Sequence, residues 1–403
     1  MAAADDPERN VGQTDSEEAP GPYNFDPEDF AKAFDDEQKT LGRINIAIFG
    51  KSGVGKSSLV NVIFGEEMAK TGSGRPVTDD SCLYVNESEI LGIYDNRGIE
   101  IGDGTDKIIG DFTRLMEANR HLGAKHHIHV IWFCIHGRGA RLESAEVEFV
   151  KTAAALGVPV VVVLTQVRHK DGRSGEESVE LASQISAEHL PIVSGRPVLV
   201  CAKPDISRGH EQCGLDGLLD ITYLAAPEGV QAALTAAQVI DLKRKRTRCL
   251  AIATAAATAA GAAALSPIPG SDAVAIVPIQ VSMMAGIAVL YGTDASVSTM
   301  AGIAAPAIAA GFGRMAAGWV IKAIPGIGTA IGAIVNATVA SGFTLAMGLA
   351  WGRVCELIAS GELTRDDPEA VKTVFMTEFK RGFSQSVRDV EDQSPGSTDP
   401  SAA

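Results

Sequence analysis

One junction constrains this chain more than any other. A β-branched, largely apolar hexapeptide, INIAIF at 44–49, runs directly into GKSGVGKS at 50–57, and Leu59, Val60, Val62 and Ile63 follow at helical spacing. A buried strand, a glycine-rich turn and a helix are therefore predicted in immediate succession. Gly50, Gly53 and Gly55 allow successive backbone N–H groups to turn inward as an anion nest at a helix N-terminus. Lys56 is placed to meet the β- and γ-phosphates of a nucleotide, and the Ser57 hydroxyl to ligate Mg²⁺. The predicted phosphate-binding set is Gly50, Ser52, Gly53, Val54, Gly55, Lys56, Ser57 and Ser58.

Further apolar, β-branched runs lie at 89–94, 128–135, 158–164 and 197–201, with longer mixed segments near 105–122, 142–156 and 176–189. Continuous apolar strands separated by helices predict an α/β fold, a doubly wound, mainly parallel sheet covered on both faces. Composition changes after the basic run Lys243, Arg244, Lys245, Arg246 and Arg248. Residues 249–352 carry four charges, Asp272, Asp294, Arg314 and Lys322, in an Ala/Gly-rich background. An all-α hydrophobic C-terminal domain is expected there. The predicted boundaries are an acidic disordered tail at 1–24, a docking helix at 25–41, the α/β domain at 42–229, a connecting basic helix at 230–248, the hydrophobic helical domain at 249–360, an amphipathic helix at 361–385 and a disordered tail at 386–403.

Charge and cysteine content narrow the function. The formal net charge is -15, and residues 1–40 hold 12 Asp/Glu against 3 Lys/Arg, so no nucleic-acid partner is expected. Six cysteines without Cys-x-x-Cys spacing point to a reduced, cytosol-facing protein rather than to disulfides or zinc. His126, His127 and His129 lack a neighbouring carboxylate or thiol and sit where a strand begins, so they are read as structural.

In order, the chain offers GKSGVGKS (50–57), GRPVTDD (74–80), DNRG (95–98), TQVR (165–168) and CAK (201–203). This series resembles the five-motif order of GTPase domains of the Era and TrmE type, and is similar to immunity-related GTPases. The stretch 267–292 is similar to an uncharacterised C-terminal membrane domain attached to G domains in one bacterial GTPase group. The resemblance implies GTP/GDP and Mg²⁺ as ligands. It makes Thr78 the threonine that senses the γ-phosphate through Mg²⁺, Asp95 a Mg²⁺-holding residue acting through water, and Gly98 a γ-phosphate contact. Metal-holding residues would then be Ser57, Thr78 and Asp95, and the catalytic set Lys56, Thr78 and Gly98. Thr165, Gln166, Ala202 and Lys203 would meet the base.

Two departures from the family pattern bear on activity. Ile99 stands where a water-orienting glutamine is common, which implies slow hydrolysis or a group supplied by a partner. Arg168 replaces the aspartate that accepts from guanine N1 and N2, with Asp171 three residues on as the nearest substitute. The function expected is a GTP-binding switch that is a slow GTPase. The alternatives are a nucleotide-binding scaffold with negligible hydrolysis and an ATP-binding protein. Uncharged runs of 19 to 30 residues reach the length of a bilayer span, and Gly328-x-x-x-Gly332 suits close helix packing. Membrane contact through 249–352 is therefore expected, the α/β domain being cytoplasmic. A nucleotide-dependent dimer or a protein effector is the other expected partner.

Overall fold

The structure, a computed structural model, describes residues 27–65, 75–78, 81–96, 105–122, 124–139, 142–265, 271–293 and 329–392. Its strands are β1 (Ile44–Phe49), β2 (Arg75–Thr78), β3 (Ser81–Val85), β4 (Leu91–Asn96), β5 (Val130–His136), β6 (Val160–Thr165), β7 (His169–Lys170), β8 (Arg173–Ser174) and β9 (Val198–Leu199). Seven of them form one sheet in the order β2-β3-β4-β1-β5-β6-β9, and β7 and β8 form a separate hairpin. β1 pairs in parallel with β4 and β5, β6 pairs in parallel with β5 and β9, and β2 and β3 are antiparallel additions beyond β4.

β1 shows how the sequence builds this sheet. All six of its residues are buried. Alternate side chains serve opposite faces, as a strand's period of two requires. Ile44, Ile46 and Ile48 pack with Leu59, Val60 and Ile63 of α2 (Lys56–Phe64) and with Leu218 and Leu219 of α6 (Leu215–Ala225). Ala47 and Phe49 face the other way. There they meet Phe112 of α3 (Thr105–His121), Phe149 of α4 (Ser144–Ala155) and Leu181 of α5 (Glu176–Ala187). The sheet is thus covered on both sides, and the predicted doubly wound fold is the observed one. The predicted 197–201 strand is shorter than read: β9 pairs with β6 only at Val198 and Leu199, after which Cys201 exchanges backbone hydrogen bonds with Cys213.

A helical bundle follows. It comprises α8 (Leu242–Ala263), α9 (Ser271–Tyr291), α10 (Thr329–Ala359) and α11 (Pro368–Asp392). α8 and α10 run antiparallel and close together. A Cβ added at Gly352 would lie 2.3 Å from Cys249 Sγ, and one at Gly261 would lie 2.2 Å from Ser341 Oγ. Arg246 clamps the same pair with a forked contact to the nearly buried Glu356, at 2.6 and 2.7 Å. Trp351 of α10 is buried and donates from Nε1 to Met284 O at 3.0 Å. Val371, Phe375 and Phe379 lay the apolar stripe of α11 on this core.

Two boundaries differ from expectation. Residues 230–248 are not one helix. α7 (Glu228–Ala237) ends, and α8 restarts at Asp241, whose carboxylate accepts from Arg244 N at 2.8 Å. The helix expected at 361–385 begins at Pro368 and continues to Asp392. The predicted docking helix is α1 (Pro27–Leu41), and it packs chiefly on the bundle rather than on the sheet. Phe30 lies in the bundle core, Glu37 Oε1 accepts from Ser282 Oγ at 2.7 Å, and only the last residue, Leu41, joins the α/β core. Of the disordered tail predicted at 386–403, residues 386–392 instead continue α11, and 393–403, the predicted tail at 1–24 and the Gly328 end of the small-residue pattern lie outside the described residues.

Most of the basic run is engaged within the chain. Arg244 pairs with Asp220 and Asp241 and lies over the Tyr223 ring, 3.9 Å from its centroid. Lys245 is buried between α7, α8 and α9, donating to Ala236 O and Leu290 O at 2.9 Å each. Burial pulls its ammonium down from 10.5 to about 7. Between those values the unfolded chain carries a proton that the folded chain has released, so stability rises with pH across that window. Below about 7 the desolvation cost stands in full. Compared with a Lys245→Met variant, the native chain should therefore gain stability from pH 7 to pH 9.5. Urea midpoints of both proteins at the two pH values check this, and an unchanged difference would contradict the buried amine.

Candidate functional site

β1 delivers the chain to the carboxyl edge of the sheet, where Gly50, Gly53 and Gly55 take φ of 137°, 76° and 103°. At Gly50 the backbone passes so close to β5 that an added Cβ would lie 2.2 Å from Cys134 O. Lys56 Nζ reaches back over the loop, donating to Gly50 O at 2.8 Å and Lys51 O at 3.2 Å. That ammonium lies where a phosphate oxygen can take over both contacts. Lys51 pairs with Glu143, the residue that caps α4. Val54 is the one non-glycine anchor of the loop that is buried, and Ser52 and Ser57 are exposed.

Thr165 and Gln166 reach this loop rather than standing apart from it. Thr165 is buried and donates its hydroxyl to Val54 O at 2.6 Å and to Ile135 O at 3.1 Å. Gln166, at φ 54°, donates from Nε2 to Gly53 O at 2.7 Å. The end of β6 therefore braces the phosphate loop from below. His136, beside Gln166, is held below its ordinary pKa by burial and by Arg138. Burial pushes the Cys134 thiol up to about 12, so the sulfur under Gly50 is inert.

Beyond the brace lies a cavity of about 410 Å³. Gly53, Gly55 and Ser58 form its phosphate side, Gln166 and Arg168 its floor, and Ala202, Lys203, Asp205, Arg208 and His210 its outer wall. The outer wall is a closed loop. Cys201 and Cys213 exchange backbone hydrogen bonds of 3.0 and 3.2 Å at its neck, and Gln212 Nε2 donates to Ala202 O at 3.0 Å. Arg168 points its guanidinium toward Glu177, 3.4 Å away. Asp171 sits at the turn of the β7–β8 hairpin and is not among the lining residues.

Ser57 lies in the first turn of α2, and Asp95 near the end of β4 is in register with Ile48, two residues before Gly50. A hydroxyl and a carboxylate at the same sheet edge as the anion nest suit a hard cation held by oxygen. Thr78 closes the short strand β2; Arg97, Gly98 and Ile99 lie outside the described residues. His129 accepts from Asn45 N through Nδ1 at 2.9 Å, and its pKa is drawn down to about 4 by burial and the neighbouring His127. Sequence reasoning missed Asp205, Arg208, Arg138 and His210. The only signal for Asp205, Arg208 and His210 was the polar run following CAK, and Arg138, just after β5, had none.

Fold and site together define a nucleotide-binding α/β domain with a phosphate loop after its first strand. Residues 45–166 match the family model described as 50S ribosome-binding GTPase, and the chain accordingly contains a GTP-binding P-loop GTPase domain. None of the curated proteins compared with the chain matches it. Among solved structures, a probable GTP-binding protein EngB is 18% identical, covering 46% of this chain and 98% of that one, with a TM-score of 0.31. A structure from work on the chloroplast translocon components atToc33 and psToc159 is 15% identical, covering 52% and 90%, with a TM-score of 0.32. Toc33 from Arabidopsis thaliana is 16% identical, covering 52% and 91%, with a TM-score of 0.31.

Proposed function

We propose that this chain is a guanine-nucleotide switch of slow intrinsic hydrolysis, of the Era and TrmE type, whose nucleotide state is read by the helical bundle. The observation carrying this reading is the continuity of the site: the phosphate loop is braced by Thr165 and Gln166, and the same brace floors a base-sized cavity. The glycine-rich backbone and Lys56 bind and orient the triphosphate. Ser57, Asp95 and Thr78 would hold Mg²⁺, which offsets charge on the β- and γ-phosphates. Gly98 would contact the γ-phosphate and report its loss. With Ile99 beside it, no side chain at that position orients water, so turnover is slow.

Single-turnover hydrolysis of GTP by the full chain tests this. A slow rate clearly above that of Lys56→Ala is expected. Equal rates would leave a nucleotide-binding scaffold, and ATP competing as well as GTP would leave an ATP-binding protein.

The bundle is proposed to meet a membrane surface or a protein effector, with a nucleotide-dependent dimer as one form of the latter. Apolar side chains are exposed at Leu250 on α8, at Leu265 just beyond the end of α8, and at Leu349 on α10. Among the described residues, one helical segment, Ala337–Ala359, is long and apolar enough to cross a bilayer, but 61% of its most apolar window is already buried in the bundle. Surface contact by a cytoplasmic protein therefore fits better than a span. Flotation of the full chain with anionic vesicles, loaded with GTP or GDP, distinguishes these partners: absence from the vesicle fraction in both states removes the membrane.

A further inference from the structure

Replacement of the usual base-reading aspartate by Arg168 leaves the cavity without an acceptor at that position. Guanine presents two donors side by side, N1–H and the N2 amine, and a single carboxylate answers both. Four cationic side chains line the cavity, from Arg138, Arg168, Lys203 and Arg208, together with one carboxylate, that of Asp205. Resting on the guanine reading above, we infer that Asp205 supplies the acceptor pair that position 168 lacks, delivered from the 201–213 loop instead of from the end of β6.

The geometry of that loop supports the assignment. Asp205 stands two residues after Lys203, on a loop whose neck is fixed by the Cys201–Cys213 backbone pair. Its backbone carbonyl accepts from Arg208 N at 3.1 Å and His210 N at 3.0 Å, so the turn is set without its side chain. Ser207 Oγ donates to Oδ1 at 2.5 Å, and Arg208 Nε approaches Oδ2 at 3.3 Å. These contacts orient the carboxylate and use one lone pair on each oxygen, leaving one on each for the base. The Ser207 hydrogen bond, then Arg208, also hold the group below the usual carboxylate range, so it is an acceptor at neutral pH. Arg168, which lines the cavity and meets Glu177 through Nη1, has further in-plane N–H donors that suit the acceptor edge of the same purine, O6 and N7. Asp171 is excluded by position, at a hairpin turn outside the lining.

The full chain with Mg²⁺ is titrated with GTP, with xanthosine triphosphate and with tripolyphosphate. Xanthine carries an oxygen where guanine carries the N2 amine, and Asp205→Asn exchanges one acceptor for a donor while remaining a residue that suits the turn. The variant should lose GTP affinity by about 10- to 100-fold. It should bind the xanthosine nucleotide about tenfold better than the native chain and hold tripolyphosphate unchanged. Unaltered GTP affinity overturns the assignment. So does an equal fall for both nucleotides, which is what a purely structural role would give. Asp171→Asn should leave all three affinities as they are; a GTP loss there with none at Asp205 transfers the role. A native chain showing no guanine preference overturns the parent reading and this assignment together, whereas native guanine preference with an indifferent Asp205→Asn overturns this assignment alone.

Discussion

Gly50→Ala should abolish nucleotide binding and cost the α/β domain about 2–6 kcal/mol, the sum of a steric and a conformational effect. The steric part arises because the new methyl would lie 2.2 Å from the Cys134 carbonyl oxygen, which belongs to the central strand β5 and cannot move without disturbing the sheet. The conformational part arises because φ at 137° suits glycine and strains any side chain. Displacing Gly50 also displaces the carbonyl that Lys56 grips, so the ammonium leaves its place over the loop. Gly53→Ala is the informative comparison. Nothing lies within 4 Å of a Cβ there, and only a positive φ of 76° is penalised. Its cost should be about 1 kcal/mol, with measurable nucleotide binding retained. Urea unfolding and GDP titration of both variants check the ordering, and similar behaviour of the two would refute it.

Trp351→Ala should destabilise the bundle by about 3–5 kcal/mol. The indole is almost wholly buried between α9 and α10, and its N–H adds a hydrogen bond to the Met284 carbonyl that the variant would lose. If the bundle reads the nucleotide, coupling between the two sites is reciprocal, and loosening one must shift the affinity of the other. A stability loss with unchanged GTP and GDP affinities would mean that bundle and site are mechanically independent. A change in their ratio is the expected result.

The sheet was legible where its strands are buried on both faces. INIAIF, IHVIWFCI and VPVVVVL are apolar runs broken only by Asn45 and His129, and such near-continuity is what double burial demands. The antiparallel pair β2 and β3 was missed, because RPVT and SCLYV at the sheet's edge are short and mixed. The phosphate loop was readable since its chemistry is local: glycines, lysine and serine act within eight consecutive residues. The base side was not, because it is assembled from β6 and a loop some 40 residues later. Gln166 illustrates the gap. Its position pointed to the base, but only the fold shows that its amide turns to Gly53. The same limit applies to α1, whose phenylalanines at 30 and 34 promise docking without saying on what.

The order in which the parts are made follows from where α1 ends up. Glu37 meets Ser282 across a sequence separation of 245, with the entire α/β domain synthesised between them. At 5–20 residues per second, roughly 12 to 50 s separate the emergence of the two partners. Throughout that interval Phe30 has no bundle core to enter, even after the last strand of the sheet, β9, has been made. The apolar stripe of α1 is therefore without its native partner until α9 arrives. Docking on α9 rather than on the adjacent sheet thus ties the folding of α1 to completion of the bundle.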